Sequence, residues 1–391
     1  MIQFEEALSI VNKVANTIST EKSNIRNSLR RVLSKNIYSD IDMPPFDKSA
    51  MDGYACKKSD LNNPLKIIEV IPAGKIPEKT VEKNQCSKIM TGAPVPKGAD
   101  TVIMIEHTKQ ISEDTIQFIK ENSKHNICRK GEDVKKGDVV LKKGTIICPE
   151  HIAVLASVGV VDVPVYKKPK LSVISTGNEL VEPNIKPNNS QIRNSNAFQL
   201  IAQAEKTGIE AEYAGIAEDT KRDTENKIKN SLKNADIVVI SGAVSVGDYD
   251  FVPAVIKKLG FTIHFHGIKI KPGKRTIFAS KSDKYIIGVP GNPVSSFVQF
   301  EMLIKPLIYK ICGANYKHKY IKLPLYADFK RKNTERKAFE PVIITEEGNV
   351  KKIEYHGSAH INSLSYADGL MIINEGVSEL KKGELVNVRP I

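Results

Sequence analysis

The sequence lacks the features that mark several large classes of protein. It has only five cysteines, which lie far apart and form no C-x-x-C pair. This spacing indicates neither a disulfide framework nor a zinc knuckle. No apolar run reaches the roughly 18 residues of a membrane helix, because Asp162 and Pro164 interrupt the nearest one, residues 151–166. The N-terminus carries acids where a secretion signal has bases, so we expect a cytoplasmic protein that does not bind membranes.

Clusters of histidine or of positive charge are equally scarce. None of the eight histidines has the H-E-x-x-H spacing, and His264 and His266, two apart on a predicted strand, favour packing over metal binding. Lysine and arginine number 58 against 45 acids, a formal charge of +13. The excess is spread as short lysine pairs. We therefore expect a solvated basic surface and no nucleic-acid partner.

The length and the apolar pattern indicate several domains. A chain of 391 residues is too long for one ordinary core and predicts about two to four domains. Apolar residues repeat at helical spacing over residues 4–18 and 25–33, which predicts two amphipathic helices. Short alternating segments with Gly and Pro punctuation follow over residues 65–147 and predict an all-β insert. Another helix is predicted over residues 149–158.

The remaining chain predicts an α/β domain followed by a β domain. From Lys170, apolar strands such as LSVIST and ADIVVISG alternate with segments long enough for crossover helices. This order predicts a parallel, doubly wound α/β sheet that ends in one long helix over residues 295–311. From about Tyr316 short strands and turns return, which suits a small β-barrel or sandwich.

Three glycine-containing loops of the α/β segment are candidates for an anion site. They cover residues 241–250, 270–275 and 289–296, and two of them lead into predicted helices. Ligands of open α/β sheets bind beyond the carboxyl ends of the strands, where small residues and helix N-termini suit phosphate. The G-x-x-x-x-G-K-[ST] pattern of nucleotide triphosphate hydrolases is absent. The alternative is that each loop is an ordinary turn.

Carboxylates follow three of the predicted parallel strands. Glu179 follows LSVIST, Asp219 follows AEYAGIA and Asp250 follows ADIVVI. Together they predict a Mg²⁺ site that would neutralise phosphate charge. The alternative is that Asp219 and Asp250 cap helices while Glu179 is solvated.

With these residues in view, the chain resembles the molybdopterin molybdenumtransferases, the enzyme type also found as the E domain of gephyrin. The resemblance spans nearly the whole length. It rests on PPFDKSAMDGYA (44–55), KIMTGAPVPKGAD (88–100), RKGEDV (129–134), STGNEL (175–180), SGAVSVGDYD (241–250), IKPGK (270–274), GVPGNPVSSF (288–297) and HGSAHINSLSYADGL (356–370).

This resemblance implies a reaction and a set of site residues. The family inserts molybdenum from molybdate into adenylylated molybdopterin, with Mg²⁺-dependent release of AMP, and so forms molybdenum cofactor. It implies metal ligands at Glu179, Asp219 and Asp250 and catalytic positions at Asp52, Asp250, Lys271 and Lys274. The implied substrate-binding residues are Thr91, Ser245, Gly247, Pro272, Gly273, Gly291, Asn292, Ser295, Arg336 and Ser363.

The resemblance also implies an architecture. We expect an elongated homodimer of four-domain chains, in which Asp52 of one subunit meets Asp250 of the other. A molybdopterin adenylyltransferase is the partner that would supply the substrate. The implied domains are a helical and extended dimerisation domain (1–44 and 137–168), a β-rich insert (45–136), a molybdopterin-binding-like α/β domain (169–314) and a C-terminal β-barrel (315–391).

Four positions depart from the family pattern. Ala243 replaces a glycine, Arg275 a proline, Pro341 an arginine and Asn194 an aspartate. None of them removes a proposed metal ligand. Two alternatives stay open: the related adenylyl-transferring enzyme, which shares the α/β domain but normally lacks the others, and a non-catalytic cofactor-binding scaffold.

Overall fold

The computed structural model describes residues 1–242, 251–353 and 360–391 and divides into two compact units. The larger unit comprises Met1–Lys35, Lys143–Ile152 and Asp162–Ile391. The smaller unit comprises Asn36–Lys142 and Ala153–Val161. No helix among the described residues is both long and apolar enough to cross a membrane.

The α-helices are short. They are α1 (Phe4–Val14), α2 (Pro149–Ser157), α3 (Asn196–Lys206), α4 (Lys221–Asn234), α5 (Val252–Lys258), α6 (Pro293–Gln299) and α7 (Lys305–Ile311). A π-helical segment, Phe300–Ile304, joins the last two, and 3-10 turns cover Ile25–Asn27, Lys58–Asp60, Ile105–His107 and Ile361–Leu364.

Strands make up most of the regular structure. Up to residue 166 they are β1 (Thr20–Asn24), β2 (Ile37–Tyr38), β3 (Lys48–Ser49), β4 (Gly53–Cys56), β5 (Leu65–Ile71), β6 (Gln85–Ile89), β7 (Thr101–Met104), β8 (Thr108–Ser112), β9 (Thr115–Phe118), β10 (Ile127–Cys128), β11 (Val139–Leu141) and β12 (Asp162–Tyr166). Beyond it they are β13 (Lys170–Thr176), β14 (Leu180–Val181), β15 (Ile192–Arg193), β16 (Glu210–Ala217), β17 (Ile237–Gly242), β18 (Thr262–His266), β19 (Ile270–Lys271), β20 (Ile277–Lys281), β21 (Lys284–Pro290), β22 (Ile321–Pro324), β23 (Phe329–Lys330), β24 (Lys337–Ile344), β25 (Val350–Lys352), β26 (Gly369–Ile373), β27 (Glu379–Leu380) and β28 (Leu385–Pro390).

The smaller unit is built on a six-stranded sheet in the order β7-β4-β6-β5-β9-β8. Apolar side chains alternate between its two faces and form two clusters, one around Tyr54 and Ile116 and one around Ile71 and Ile89. Gly53 lies where β4 pairs with both neighbours, and a Cβ there would be 1.9 Å from the Ile103 carbonyl oxygen. Only glycine therefore permits this strand spacing.

The α/β sheet of the larger unit has the order β16-β13-β17-β21-β20-β18. Its first four strands are parallel, whereas β20 and β18 are antiparallel to their neighbours. The prediction of a parallel sheet was therefore wrong at this edge. Only Ser282 and Asp283 separate β20 from β21, which is enough for a hairpin and far too short for a crossover.

The N-terminal part contains less helix than the sequence predicts. The first helix is present but ends at Val14, and the second, over residues 25–33, does not form. Val32 and Leu33 instead bridge to Ile146 and Val165 in extended pairing. The apolar residues of this segment can be buried in a helix or in an extended chain. Pairing with distant segments favours the extended chain here.

The chain after residue 315 forms a third sheet, in the order β19-β24-β26-β28-β22 with β25 also paired to β24. Its apolar face buries Leu325, Val342 and Val388. A bridge between Leu325 and Val350 brings the chain after β22 to β25, so the sheet curls toward the predicted barrel. Since β19 precedes α6 in sequence, this sheet also takes in a strand of the α/β segment.

Candidate active site

A cavity of about 610 Å³ opens beyond the carboxyl ends of β13, β17 and β21 in the larger unit. Thr176, Glu179, Gly242, Gly291 and Asn292 are among the residues that line it. These residues come from three of the loops that the sequence analysis singled out. The sheet topology brings them together because β13, β17 and β21 are parallel neighbours.

Glycines with positive φ lie at the ends of β13 and β17, next to the cavity. Gly177 has φ of +141°, and a Cβ there would lie 2.4 Å from Oε2 of Glu179, so the Glu179 carboxylate folds over a bare backbone. Gly242 has φ of +118°, and a Cβ there would lie 2.4 Å from the Thr176 carbonyl oxygen. Both positions require glycine, because L side chains strain in this region and these would also clash.

Glu179 and Asp219 are linked through Asn178. The Asn178 N–H donates to Oδ2 of Asp219 at 3.1 Å, and the Asp219 N–H donates to Oδ1 of Asn178 at 3.2 Å. This reciprocal pair ties the loops after the adjacent strands β13 and β16. The side chain of Glu179 has no hydrogen bond or ion pair within the described part of the chain. Carboxylate oxygens are the hard ligands that Mg²⁺ prefers, and those of Glu179 and Asp219 make few hydrogen bonds to the described residues. These two carboxylates therefore fit the implied ion.

Asp250, the third predicted ligand, lies outside the described residues, as do Ser245, Gly247 and Ala243.

The lysine-containing loop after β19 packs on the loop after β21. Gly273 has φ of +89°, its carbonyl accepts a hydrogen bond from Nε2 of Gln299 at 2.6 Å, and a Cβ there would lie 3.1 Å from the Ser295 Cβ. Ser295 is thus buried beneath this loop, and Pro272 is buried as well. Lys274 is exposed, and its carbonyl accepts a hydrogen bond from the Ile268 N–H at 2.9 Å.

Lys271 faces the C-terminal sheet. Its Nζ lies 4.0 Å from Oε1 of Glu340, a buried carboxylate whose Oε2 is 3.6 Å from Nζ of Lys352. Pro341, one of the departures from the family pattern, follows Glu340 in β24. Arg336 donates from Nη1 to the Ile270 carbonyl at 3.3 Å, which places it beside the same strand.

Ser363 lies in the 3-10 turn after residue 360, where its hydroxyl donates to the His360 carbonyl at 2.9 Å. Ser363 is buried, and Ile361 of the same turn lines the cavity.

Asp52 and Thr91 form a separate constellation in the smaller unit. Oδ1 of Asp52 accepts hydrogen bonds from the Thr91 N–H at 2.6 Å and the Thr91 hydroxyl at 2.7 Å. These two bonds hold the pKa of Asp52 below its ordinary value, and the bond from the Thr91 backbone N–H has the larger effect. Both predicted residues therefore meet, and the exposed carboxylate stays ionised.

Asn196, a buried residue in the cavity wall, is not among the site residues predicted from the sequence. Its Nδ2 donates to the Ser241 hydroxyl at 2.9 Å and to the Gly291 carbonyl at 2.7 Å. The amide orientation is certain because a carbonyl can only accept. Asn196 thus ties the ends of β17 and β21. The only signal in the sequence is its place in the I-R-N-S-N stretch.

The departure at Asn194 has a local explanation. Its Oδ1 accepts from the Ser175 hydroxyl at 2.9 Å, and its Nδ2 donates to the Tyr213 hydroxyl at 2.8 Å. Tyr213 in turn donates to Oε1 of Glu182 at 2.8 Å, and burial raises the pKa of its phenol. The amide can donate to Tyr213 where an ionised aspartate could only accept.

One unpredicted group of metal-type side chains lies outside the cavity. Ligand atoms of Cys148, Glu150 and His151 lie within 4.8 Å of one another at the start of α2. However, Nδ1 of His151 accepts the Cys148 N–H bond at 3.0 Å, so this lone pair is already used to cap the helix.

Three family models match successive parts of the chain. They are the MoeA N-terminal region (domain I and II) at residues 2–159, a probable molybdopterin binding domain at residues 172–310, and the MoeA C-terminal region (domain IV) at residues 322–391. The chain belongs to the MoeA family. The resemblance seen in the sequence motifs is thereby confirmed.

Full-length relatives of this MoeA-family chain agree with the match. It is 36% identical to the molybdopterin molybdenumtransferase of Staphylococcus aureus strain Mu50 over 406 aligned positions, covering 99% of this chain and 95% of that protein. The Staphylococcus epidermidis molybdopterin molybdenumtransferase is 33% identical over 399 positions, with the same coverage. The crystal structure of the molybdopterin biosynthesis moeA protein from Pyrococcus horikoshii OT3 superposes with a TM-score of 0.85 at 32% identity, covering 100% of both chains.

Proposed function

We propose that this chain is a molybdopterin molybdenumtransferase, which inserts molybdenum from molybdate into adenylylated molybdopterin with Mg²⁺-dependent release of AMP. One observation carries the proposal. Glu179 lines the same cavity as the glycine loop at Gly291, and Asn178 next to it is hydrogen-bonded to Asp219. A cavity with carboxylates and glycine loops at strand ends suits a phosphate ester and a divalent ion.

Glu179 and Asp219, together with Asp250, would hold Mg²⁺. The ion would neutralise charge that develops on the AMP phosphate as the adenylate bond breaks. Asn178 would keep Asp219 in place through its two hydrogen bonds.

Lys271 and Lys274 would bind the oxyanions. Molybdate is a tetrahedral dianion like phosphate, and ammonium groups with loop N–H donors bind both in the same way. The buried carboxylate of Glu340 would orient Lys271. Arg336 and Ser363 would add polar contacts from the C-terminal sheet. The dithiolene sulfurs of the substrate supply the soft ligands for molybdenum, so no protein cysteine is needed.

Asp52 would act as an ionised hydrogen-bond acceptor for the substrate, with Thr91 fixing its orientation. In the homodimer that the resemblance implies, this residue would come from the other subunit. A molybdopterin adenylyltransferase would supply the adenylylated substrate.

The test is AMP release from adenylylated molybdopterin, with molybdate and Mg²⁺ added separately and together. We expect release by the wild type only when both are present, and at least about a hundredfold slower release by Glu179→Gln and Asp219→Asn. Glu212→Gln, an exposed acid on β16, is the matched control. Wild-type rates in both site variants would contradict the proposal. In a separate assay with ATP and molybdopterin, release of pyrophosphate would favour adenylyl transfer instead.

A further inference from the structure

Arg275 is a cation in the cavity wall that has no partner among the described residues. It follows the loop of Lys271 and Lys274 directly and lines the cavity with Glu179 and Asn292. The side chain is partly buried, yet it makes no hydrogen bond or ion pair within residues 1–242, 251–353 and 360–391. A partly desolvated guanidinium without a counter-charge is a costly arrangement unless a ligand completes it.

The backbone on both sides of Arg275 is fixed. The Ile268 N–H donates to the Lys274 carbonyl at 2.9 Å, and the Gly267 N–H donates to the Thr276 carbonyl at 2.8 Å. The Thr276 side chain is fully buried. Arg275 is only partly buried and lines the cavity, whereas Thr276 next to it is packed in the core.

The charge balance of the cavity favours an anion. Arg193 also lines it and donates from Nε to the Ile185 carbonyl at 3.1 Å, while its terminal nitrogens bond to none of the described residues. Among the described lining residues Glu179 is the one acid, against the two arginines. Binding of a cation by Glu179 would make this excess larger.

We propose that Arg275 is a phosphate-binding residue that determines the specificity of this cavity for a nucleoside monophosphate ester. The inference rests on the proposed function, which supplies AMP as a product. A guanidinium presents two parallel N–H donors to two phosphoryl oxygens, whereas the proline usual at this position in the family has neither charge nor donor. This chain therefore has one phosphate contact beyond those of the neighbouring lysines.

The test is calorimetric binding of AMP and of adenosine to the full-length protein in the presence of Mg²⁺. We expect Arg275→Ala to weaken AMP binding about tenfold, to leave adenosine binding unchanged and to reduce the dependence of AMP affinity on salt. Arg275→Lys keeps the positive charge but lacks the two parallel N–H donors of a guanidinium. We therefore expect its affinity for AMP to lie between those of the wild type and Arg275→Ala. Arg26→Ala, an exposed arginine that does not line the cavity, is the control and binds AMP like the wild type.

The outcomes separate this inference from the proposed function. Equal AMP affinity in the wild type and Arg275→Ala overturns the role of Arg275 and leaves the proposed function standing. An equal loss of AMP and adenosine affinity also overturns it, because the effect is then on cavity shape and not on phosphate. A wild type that binds no AMP overturns both.

Discussion

Asp52 receives two hydrogen bonds from one residue, because both the N–H and the hydroxyl of Thr91 donate to the same carboxylate oxygen. They lower the pKa of Asp52 in the folded state. Thr91→Val removes the hydroxyl and keeps the backbone bond, so we predict a partial return of the Asp52 pKa toward its ordinary value, to be measured by NMR titration. An unchanged pKa would show that the hydroxyl contributes nothing.

The same shift has a consequence for stability. A carboxyl whose folded pKa is depressed stabilises the fold above its unfolded pKa, and this contribution is lost as pH falls through the folded pKa. Thr91→Val is therefore expected to lower stability near neutral pH relative to the wild type, with the difference shrinking in strong acid. Thermal unfolding of both proteins across this pH range measures the effect.

Asp52→Asn should abolish cofactor formation and leave the fold intact. The side chain is exposed and, within the part of the chain that the structure describes, is bonded only to Thr91, so its loss disturbs little packing. The measurements are AMP release and the thermal midpoint, with Glu113→Gln in the turn before β9 as the control. A near-wild-type rate would count against a catalytic role for Asp52.

Complementation tests the predicted intersubunit site. If Asp52 of one subunit serves Glu179 of the other, a mixture of Asp52→Asn and Glu179→Gln chains, unfolded and refolded together, forms mixed dimers with one intact site. Random pairing of equal amounts then restores about a quarter of wild-type activity. Two inactive variants that stay inactive after verified exchange would show that each site is built within one subunit.

Arg389 should be the most costly charged residue to remove from the larger unit. It is 3% exposed and donates from Nη2 to Oε2 of Glu301 at 2.6 Å and to the Tyr316 hydroxyl at 3.2 Å. Arg389→Met leaves a buried carboxylate with Lys305 as its remaining cation, and we expect a loss of about 3 kcal/mol in unfolding free energy.

Urea unfolding followed by tyrosine fluorescence measures this loss, since the chain has no tryptophan and Tyr316 contacts the arginine. The control is Lys381→Ala, whose ion pairs with Asp328 and Glu379 are exposed and contribute little to stability. An equal loss of unfolding free energy in Arg389→Met and Lys381→Ala would contradict the predicted importance of the buried Arg389–Glu301 pair.

Gly53→Ala should destabilise the smaller unit. The added methyl would meet the Ile103 carbonyl, which belongs to the paired strand and cannot move away. We expect a loss of about 3 kcal/mol. The control is Gly74→Ala, where the added Cβ meets nothing within 4 Å and only backbone strain of about 1–2 kcal/mol is expected. Hydrogen exchange of the β4 amides distinguishes the two variants, because only Gly53→Ala should disturb the pairing of β4.

Much of the cavity could be predicted because its parts are local. Glu179 and Gly291 each follow an apolar strand, and parallel strands bring such positions to one sheet edge. The sequence also placed Arg275 in a candidate anion loop, residues 270–275. Asn196 could not be assigned in this way, because its role depends on hydrogen bonds to Ser241 and Gly291, which are distant in the sequence.

The sequence by itself determined the family motifs and the strand-end carboxylates, since both depend on residue type and immediate neighbours. Only the tertiary structure decided that residues 25–33 pair as extended chain, that β20 returns as a hairpin and that the Asp52 carboxylate lies on Thr91. These outcomes depend on which distant segments meet, and the free energy of those contacts outweighs local preference.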